Sequence, residues 1–439
     1  MKKIVLSASL LISLLFFIGC DDAVLPDLPE MENSVDVDVF EIGDDDTTTD
    51  HDSKSDEENG GYDSDDSENP DKNSDEEVPE PEITASHLLV ATVGGYDVPM
   101  SGKIYYAKDE KLNDLKEIPV EGGMGSAEGA DLNIAAWSDG FSIIGRDNSS
   151  SLYFFTPDFE FENEIKIEPD TYVNMQDMVY NPFKDEFIVS ALNYDTPSSH
   201  KNYSNKIFVL KKNLPETPLS MLEISDNESA SPAKMRVIGK KLFLALQNLN
   251  KQAISDKGEI AIINLEDYSV KRVELPVKNP TGKIEYNPKA DKNHLYFVAT
   301  GNWQKRDGAL LQMDIETYEV KTVLCESKDE NNILDGDFVD ISIADNRDFF
   351  IVFSNNSSAW ENNLLLYRPE EGVVKKIDSR INAFAANPID YSSVSGKIYY
   401  FVDDKSDTYL KSFDTKTDKS EKILLDYGPA ALRIKYDYK

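Results

Sequence analysis

Seven times in this chain a run of β-branched and aromatic residues breaks at a polar loop and is followed by a second such run. The first runs are HLLVATVGG (87–95), GFSIIGRDN (140–148), EFIVSALNYD (186–195), KLFLALQN (241–248), HLYFVATGN (294–302), FFIVFSNN (349–356) and KIYYFVDD (397–404). Their spacing, roughly 50 residues, is that of a repeat in which each unit is one small sheet. No long segment carries the 3.6-residue period of an amphipathic helix, so the chain reads as all-β. Each strong run is followed by a partner such as NKIFVLKKN or GALLQMDIET, then by a more polar strand such as VKRVELP or EKILLDY. Most are preceded by an inner-strand candidate: LNIAAW, MQDMVYNP, AKMRVIG, GKIEYNP, FVDISIADN and INAFAANP. The expectation is therefore four antiparallel strands per unit.

Seven four-stranded units of this kind make a ring of blades, a β-propeller. The first unit lacks an inner strand, and the chain ends in a solitary alternating run, PAALRIKYDYK. Both facts are explained if the C-terminal run is the inner strand of the first blade, which closes the ring and removes the sheet edges. A count of six blades leaves one unit unplaced. Asn-Pro recurs at 181–182, 287–288 and 387–388, and is expected in the turn after each inner strand, where Pro fixes φ and Asn tolerates turn geometry. The rhythm over residues 86–439 resembles the seven-bladed propellers of the YVTN and quinoprotein-like group, although no YVTN sequence occurs. Quinoprotein dehydrogenases of that shape carry recurring tryptophan motifs, which the three tryptophans here do not reproduce.

The N-terminus reads differently. Two lysines precede an apolar run of about fifteen residues that stops at Gly19-Cys20, within the size of a secretory signal and short for a membrane span. Phe17-Ile18-Gly19-Cys20 resembles the lipobox of bacterial lipoproteins, with Phe17 where that family usually has leucine. The resemblance implies removal of residues 1–19 as a signal peptide and a lipid anchor, of the palmitate kind, on Cys20. Residues 20–82 then form an acidic linker. By direct count, positions 21–82 hold about 26 acids and two lysines, a composition that buries too little to order itself. DSDDSENPDKNSDEE approaches a calcium-loop spacing but lacks the glycine of the sharp turn. The only other cysteine, Cys325, lies in the alternating run EVKTVLCES and is expected to be a buried small hydrophobe. With Cys20 lipidated no intramolecular disulfide is possible, and the core alone must hold the fold.

Net charge excludes one partner class. Of the formal −37, about −24 lies on residues 21–82 and +2 on the leader lysines, leaving about −15 on residues 83–439. Phosphate backbones demand the opposite sign, so nucleic acid is not an expected partner. The four histidines are scattered, and no HExxH, CxxC, Walker loop or G-x-S-x-G elbow occurs, so no cofactor or transition-metal site is expected. VEGGMGSAEGAD is glycine-rich but opens no helix, and reads as a connection between blades.

Two features carry chemistry. Alternation along the inner strands sends every second side chain toward the central channel. Lys234 and Arg236, Lys283 and Glu285, and Arg433 and Lys435 are expected there, with Asp177 and Asp340 as opposing charges. These bases either pair with carboxylates, as wet channel charges commonly do, or hold an anionic ligand. The second feature is the loops after the strong runs, which are Asn-rich and carry Tyr194, Tyr203, Trp303 and Trp360. Exposed rings beside amides suit a glycan or a polypeptide. The expectation is a monomeric propeller, lipid-anchored at the cell envelope, that binds an envelope protein, a glycan or an anion. The alternative is a lyase- or lactonase-like enzyme using calcium between Asp177 and Asp340. Asp21 resembles the inner-membrane retention signal of some bacteria, whereas the length of the linker suits the outer membrane.

Overall fold

The computed structural model describes residues 82–439, except for 95–97, 127–129, 147–148, 168–172, 193–203, 212–219, 251–253, 330–331, 356–360, 384 and 405–406. The signal, Cys20 and the acidic linker therefore lie outside the described residues, as do Tyr194, Tyr203 and Trp360.

Twenty-seven strands and a single 3-10 turn, Leu112–Asp114, make up the regular structure among the described residues. The strands form seven antiparallel sheets, each from consecutive strands except one. In that one the last strand, Gly428–Tyr438, lies beside Ile83–Val93 at the inner edge of the first blade. The chain is a seven-bladed β-propeller. Its closure is the one the sequence led us to expect: Leu88 faces Ile434 and Val90 faces Leu432 across the seam.

The core is a ring rather than a ball. Seven apolar clusters each sit between two neighbouring blades. The strong runs supply them from both faces: Phe243 packs toward the fifth blade, while Leu242 and Leu244 pack toward the third. This explains why those runs are apolar throughout, as strands buried on both faces require. The outermost strands are wet, and their polarity follows. Cys325 belongs to one of them, Val320–Cys325, and is exposed. The expectation of a buried thiol was wrong because an alternating pattern in an outer strand has no second layer to pack against.

Two inner strands also depart from expectation. In the fifth blade the sheet has three strands, and GKIEYNP contributes only an isolated bridge between Glu285 and Tyr296. The Lys283 amide is drawn out of the ladder by the Asp340 carboxylate of the next blade, 2.8 Å away. In the seventh blade the described residues of INAFAANP form no strand. Asn382 caps the Ala385 amide at 3.0 Å, and the inner strand Ile389–Ser392 begins only after Pro388, which has no N–H to offer. Asn387-Pro388 thus precedes its strand, whereas Asn181-Pro182 and Asn287-Pro288 follow the inner segment as expected.

Candidate functional site

The inner strands carry an Asx residue at a recurring position, each followed by an apolar side chain or Tyr: Asn133-Ile134, Asp177-Met178, Asp340-Ile341 and Asp390-Tyr391. In three of the four the side-chain oxygen accepts from the next main-chain amide, at 2.8 Å for Asn133, 3.0 Å for Asp177 and 3.2 Å for Asp390. The remaining capacity crosses to a neighbouring blade. Asp177 accepts from the Met235 amide at 2.9 Å, Asp340 from Lys283 at 2.8 Å and Asp390 from Ile434 at 2.8 Å. Asn133 donates instead, to the Gln176 carbonyl at 2.8 Å. Ladder irregularities fall at Asp177 and Asp340, where a bulge re-aims a side chain toward the axis.

Between these carboxylates lie the inward-pointing bases. Lys283, whose side chain is 6% exposed, has its ammonium 3.3 Å from Glu285, 3.9 Å from Asp340 and 3.7 Å from Asp390. It also donates to the Ile389 carbonyl, so a lysine of the fifth blade reaches the seventh. Lys234 of the fourth blade reaches as far, donating to the Ala386 carbonyl at 2.7 Å. Arg236 donates to the Tyr286 carbonyl at 3.0 Å. Arg433 stands 4.0 Å from Asp390 with 27% of its side chain exposed. Lys435 pairs with Asp437 at 2.5 Å, and His87 meets the other oxygen of Asp437 at 2.9 Å.

Electrostatics divide this hub. Burial alone would lower the pKa of Lys283, but Asp340, Asp390 and Glu285 outweigh it and the pKa is raised. Burial raises the carboxyls of Glu285 and Asp340, with Lys283 acting against the shift. Lys234 goes the other way: burial, reinforced by Arg146 and Lys283, brings it down to about 8 despite Asp177 and Asp340. The carboxylates are committed to amides and to Lys283, while Lys234, Arg236 and Arg433 keep donors to offer.

Of the expected channel residues, the structure brings together Lys234, Arg236, Lys283, Glu285, Arg433, Asp177 and Asp340. Lys435 joins a separate pair with Asp437. Asp177 and Asp340 act as staples between blades, and among the described residues no three metal-ligating side chains are grouped. Asp390 and Arg146 were missed. The recurring Asx signal would have found Asp390, had the seventh inner strand not been placed too early. Arg146, held by Asp131 at 3.5 Å and Gln176 at 3.0 Å, lies just past its strand and carries no such signal.

Trp303, half-buried, lies in the loop 300–308, which four carboxylates hold. Asp307 accepts from the Asn302 amide at 2.7 Å, Asp337 from Gln304 at 3.1 Å, and Glu326 from Gly308 at 2.7 Å and Phe338 at 2.6 Å. Asp335 pairs with Arg306. Away from the axis an open cavity of about 710 Å³ is lined by Asp226, Lys257, Glu259, Arg272 and Glu274 among others. Its charges pair locally, Arg272 with Asp226 at 2.7 Å and Lys257 with Glu259 at 3.0 Å.

No family model matches the chain, and no curated protein matches its sequence. Solved structures match its fold. A candidate 6-phosphogluconolactonase from Bacteroides fragilis aligns at 11% identity and a TM-score of 0.51, covering 80% of this chain and 98% of that one. One from Bacteroides uniformis gives 10%, 0.50, 80% and 99%. TolB from Acinetobacter baumannii gives 11%, 0.43, 80% and 83%. At these identities the likeness is one of fold.

Proposed function

We propose that this protein is an exported, lipid-anchored β-propeller that acts as a binding module at the cell envelope, with the outer membrane as its destination. The observation that carries the binding role is the division of labour in the hub. Its aspartates are tied to main-chain amides of adjoining blades, whereas three of its half-buried cations retain unused donors. Such a site holds an anion more readily than it assembles the several converging oxygens that calcium chemistry needs. The anchored address is supported by Phe17-Ile18-Gly19-Cys20 and by the acidic linker, long enough to present the ring away from the bilayer.

The address is tested by Cys20→Ser. The wild type is expected in the membrane fraction after a high-salt wash and the variant in the soluble fraction, because several acyl chains anchor stably where a bare N-terminus does not. A variant that still fractionates fully with membranes overturns the anchor. The binding role is tested against the enzyme alternative by incubating the purified protein with 6-phosphogluconolactone. The expected hydrolysis equals the buffer blank; turnover that Asp340→Asn abolishes would make the hub catalytic.

A further inference from the structure

Asp390, Glu285, Asp177 and Asp340 all favour the charge of Arg433, yet few direct contacts hold it. Its guanidinium makes no hydrogen bond among the described residues and has a single ion pair, to Asp390 at 4.0 Å. Five N–H donors in a planar fork, partly open to the channel, match the two oxygens of a carboxylate or phosphate. Lys234 uses one of its three donors, on Ala386, and is half-buried rather than sealed. Arg236 likewise holds one carbonyl and remains half-buried. Glu285 lies within the field of both Arg236 and Arg433, and Asp177 and Asp340 act on both Lys234 and Arg433. Counting Arg146 and Lys283, five cations meet five carboxylates there: Asp131, Asp177, Glu285, Asp340 and Asp390. The hub is thus formally neutral in a domain that is otherwise strongly acidic.

We infer that the hub binds a small carboxylate or phosphate oxyanion, held by the fork of Arg433 and by the ammonium of Lys234, with Arg236 at its edge. This inference rests on the reading of the propeller as a binding module and names the ligand chemistry of that same site. Binding is proton-linked. The groups that face Lys234 are Asp177 and Asp340, which favour its charged form, and Arg146 and Lys283, which oppose it. Its ordinary state near neutral pH is charged, and above about pH 8 the ammonium is lost. Affinity therefore falls with rising pH.

The test is calorimetric titration of the detergent-solubilised full-length protein with inorganic phosphate and, separately, with succinate, in low salt. One site per chain is expected for at least one anion, and which arm binds tells phosphate from carboxylate. Lys234→Met and Arg433→Gln should each weaken binding at least tenfold, while Arg272→Gln in the peripheral cavity leaves it unchanged. Succinate keeps a constant charge above pH 7, so its affinity should drop roughly tenfold between pH 7 and 9, following the proton on Lys234. In case the variants misfold, a second measurement uses the wild type. Acetylation of Lys234 by acetic anhydride, read by mass spectrometry, should slow at least fivefold in saturating anion. Failure of both anions to bind, or binding with no protection of Lys234, overturns the inference. A protein that fractionates with membranes yet binds neither anion keeps its anchor and loses this site.

Discussion

Lys234 and Lys283 occupy neighbouring inner segments of one ring, and their surroundings pull the two amines in opposite directions. Three carboxylates within 4 Å keep Lys283 charged, which is what a buried ammonium requires. Lys234 has carboxylates only at longer range and is pushed down by burial. Glu326 shows the same contest without any cation. Burial raises its carboxyl to about 8, although the amides of Phe338 and Gly308 oppose the shift. The sign of the consequence is fixed by linkage. The folded chain holds a proton that the unfolded chain releases near 4.5, so the stabilisation is complete below that value and is lost as pH rises toward 8. Urea midpoints should therefore fall between pH 5 and pH 8. Glu326→Gln cannot ionise, and its midpoints should decline less steeply over that window even if it is less stable throughout. Equal slopes in the two proteins would show that Glu326 is ionised in the fold across the whole range.

At the scale of the element, the Asn-Pro repeats turn out to be joints. Asn287 accepts from the Lys289 amide at 3.1 Å while donating to the Ile343 carbonyl of the next blade at 3.1 Å and to Asp345 at 3.0 Å. Asn181 does the same with Phe183 and Leu265, both at 3.0 Å. Asn287→Ala removes both the turn contact and the inter-blade contact, leaving the Ile343 carbonyl short of a donor. A loss of about 1–3 kcal/mol is expected in chemical denaturation, against nearly none for the exposed Lys289→Ala. A cost below about 0.3 kcal/mol would mean that Asn287 serves the local turn alone. The strong runs were legible because burial on both faces leaves a continuous apolar signature. The inner strands of the fifth and seventh blades were not, because their fate depends on an aspartate from another blade and on a proline's missing amide. The same holds in the hub. Alternation located Lys234, Arg236, Lys283, Glu285 and Arg433, but no sequence pattern states that Asp177 and Asp340 face amides across a blade boundary.

For the whole molecule the decisive element is the closing strand. Gly428–Tyr438 is paired along its length with Ile83–Val93, from Tyr438 opposite Ile83 to Gly428 opposite Val93. It also joins the first blade to the seventh: the Ala386 amide donates to the Ala430 carbonyl at 2.7 Å, Leu432 donates to Asn387 at 3.0 Å, and Ile434 to Asp390 at 2.8 Å. Leu432 and Ile434 lie in the apolar cluster between those blades, and Ala430 and Ala431 in the cluster toward the second. Truncation after Pro429 removes all of these at once, together with Arg433 from the hub. Burial of Leu432 and Ile434 alone contributes roughly 1.5–3 kcal/mol each, before the lost ladder and the bared inner edge are counted. A domain stability of about 5–15 kcal/mol leaves little after such a loss, and an unpaired inner edge templates association between chains. The truncated protein should elute as aggregate in size-exclusion chromatography or be degraded during expression. Soluble, monomeric material with a cooperative thermal transition would make the closing strand an appendage, and the ring would then have to hold itself shut through the remaining contacts between blades.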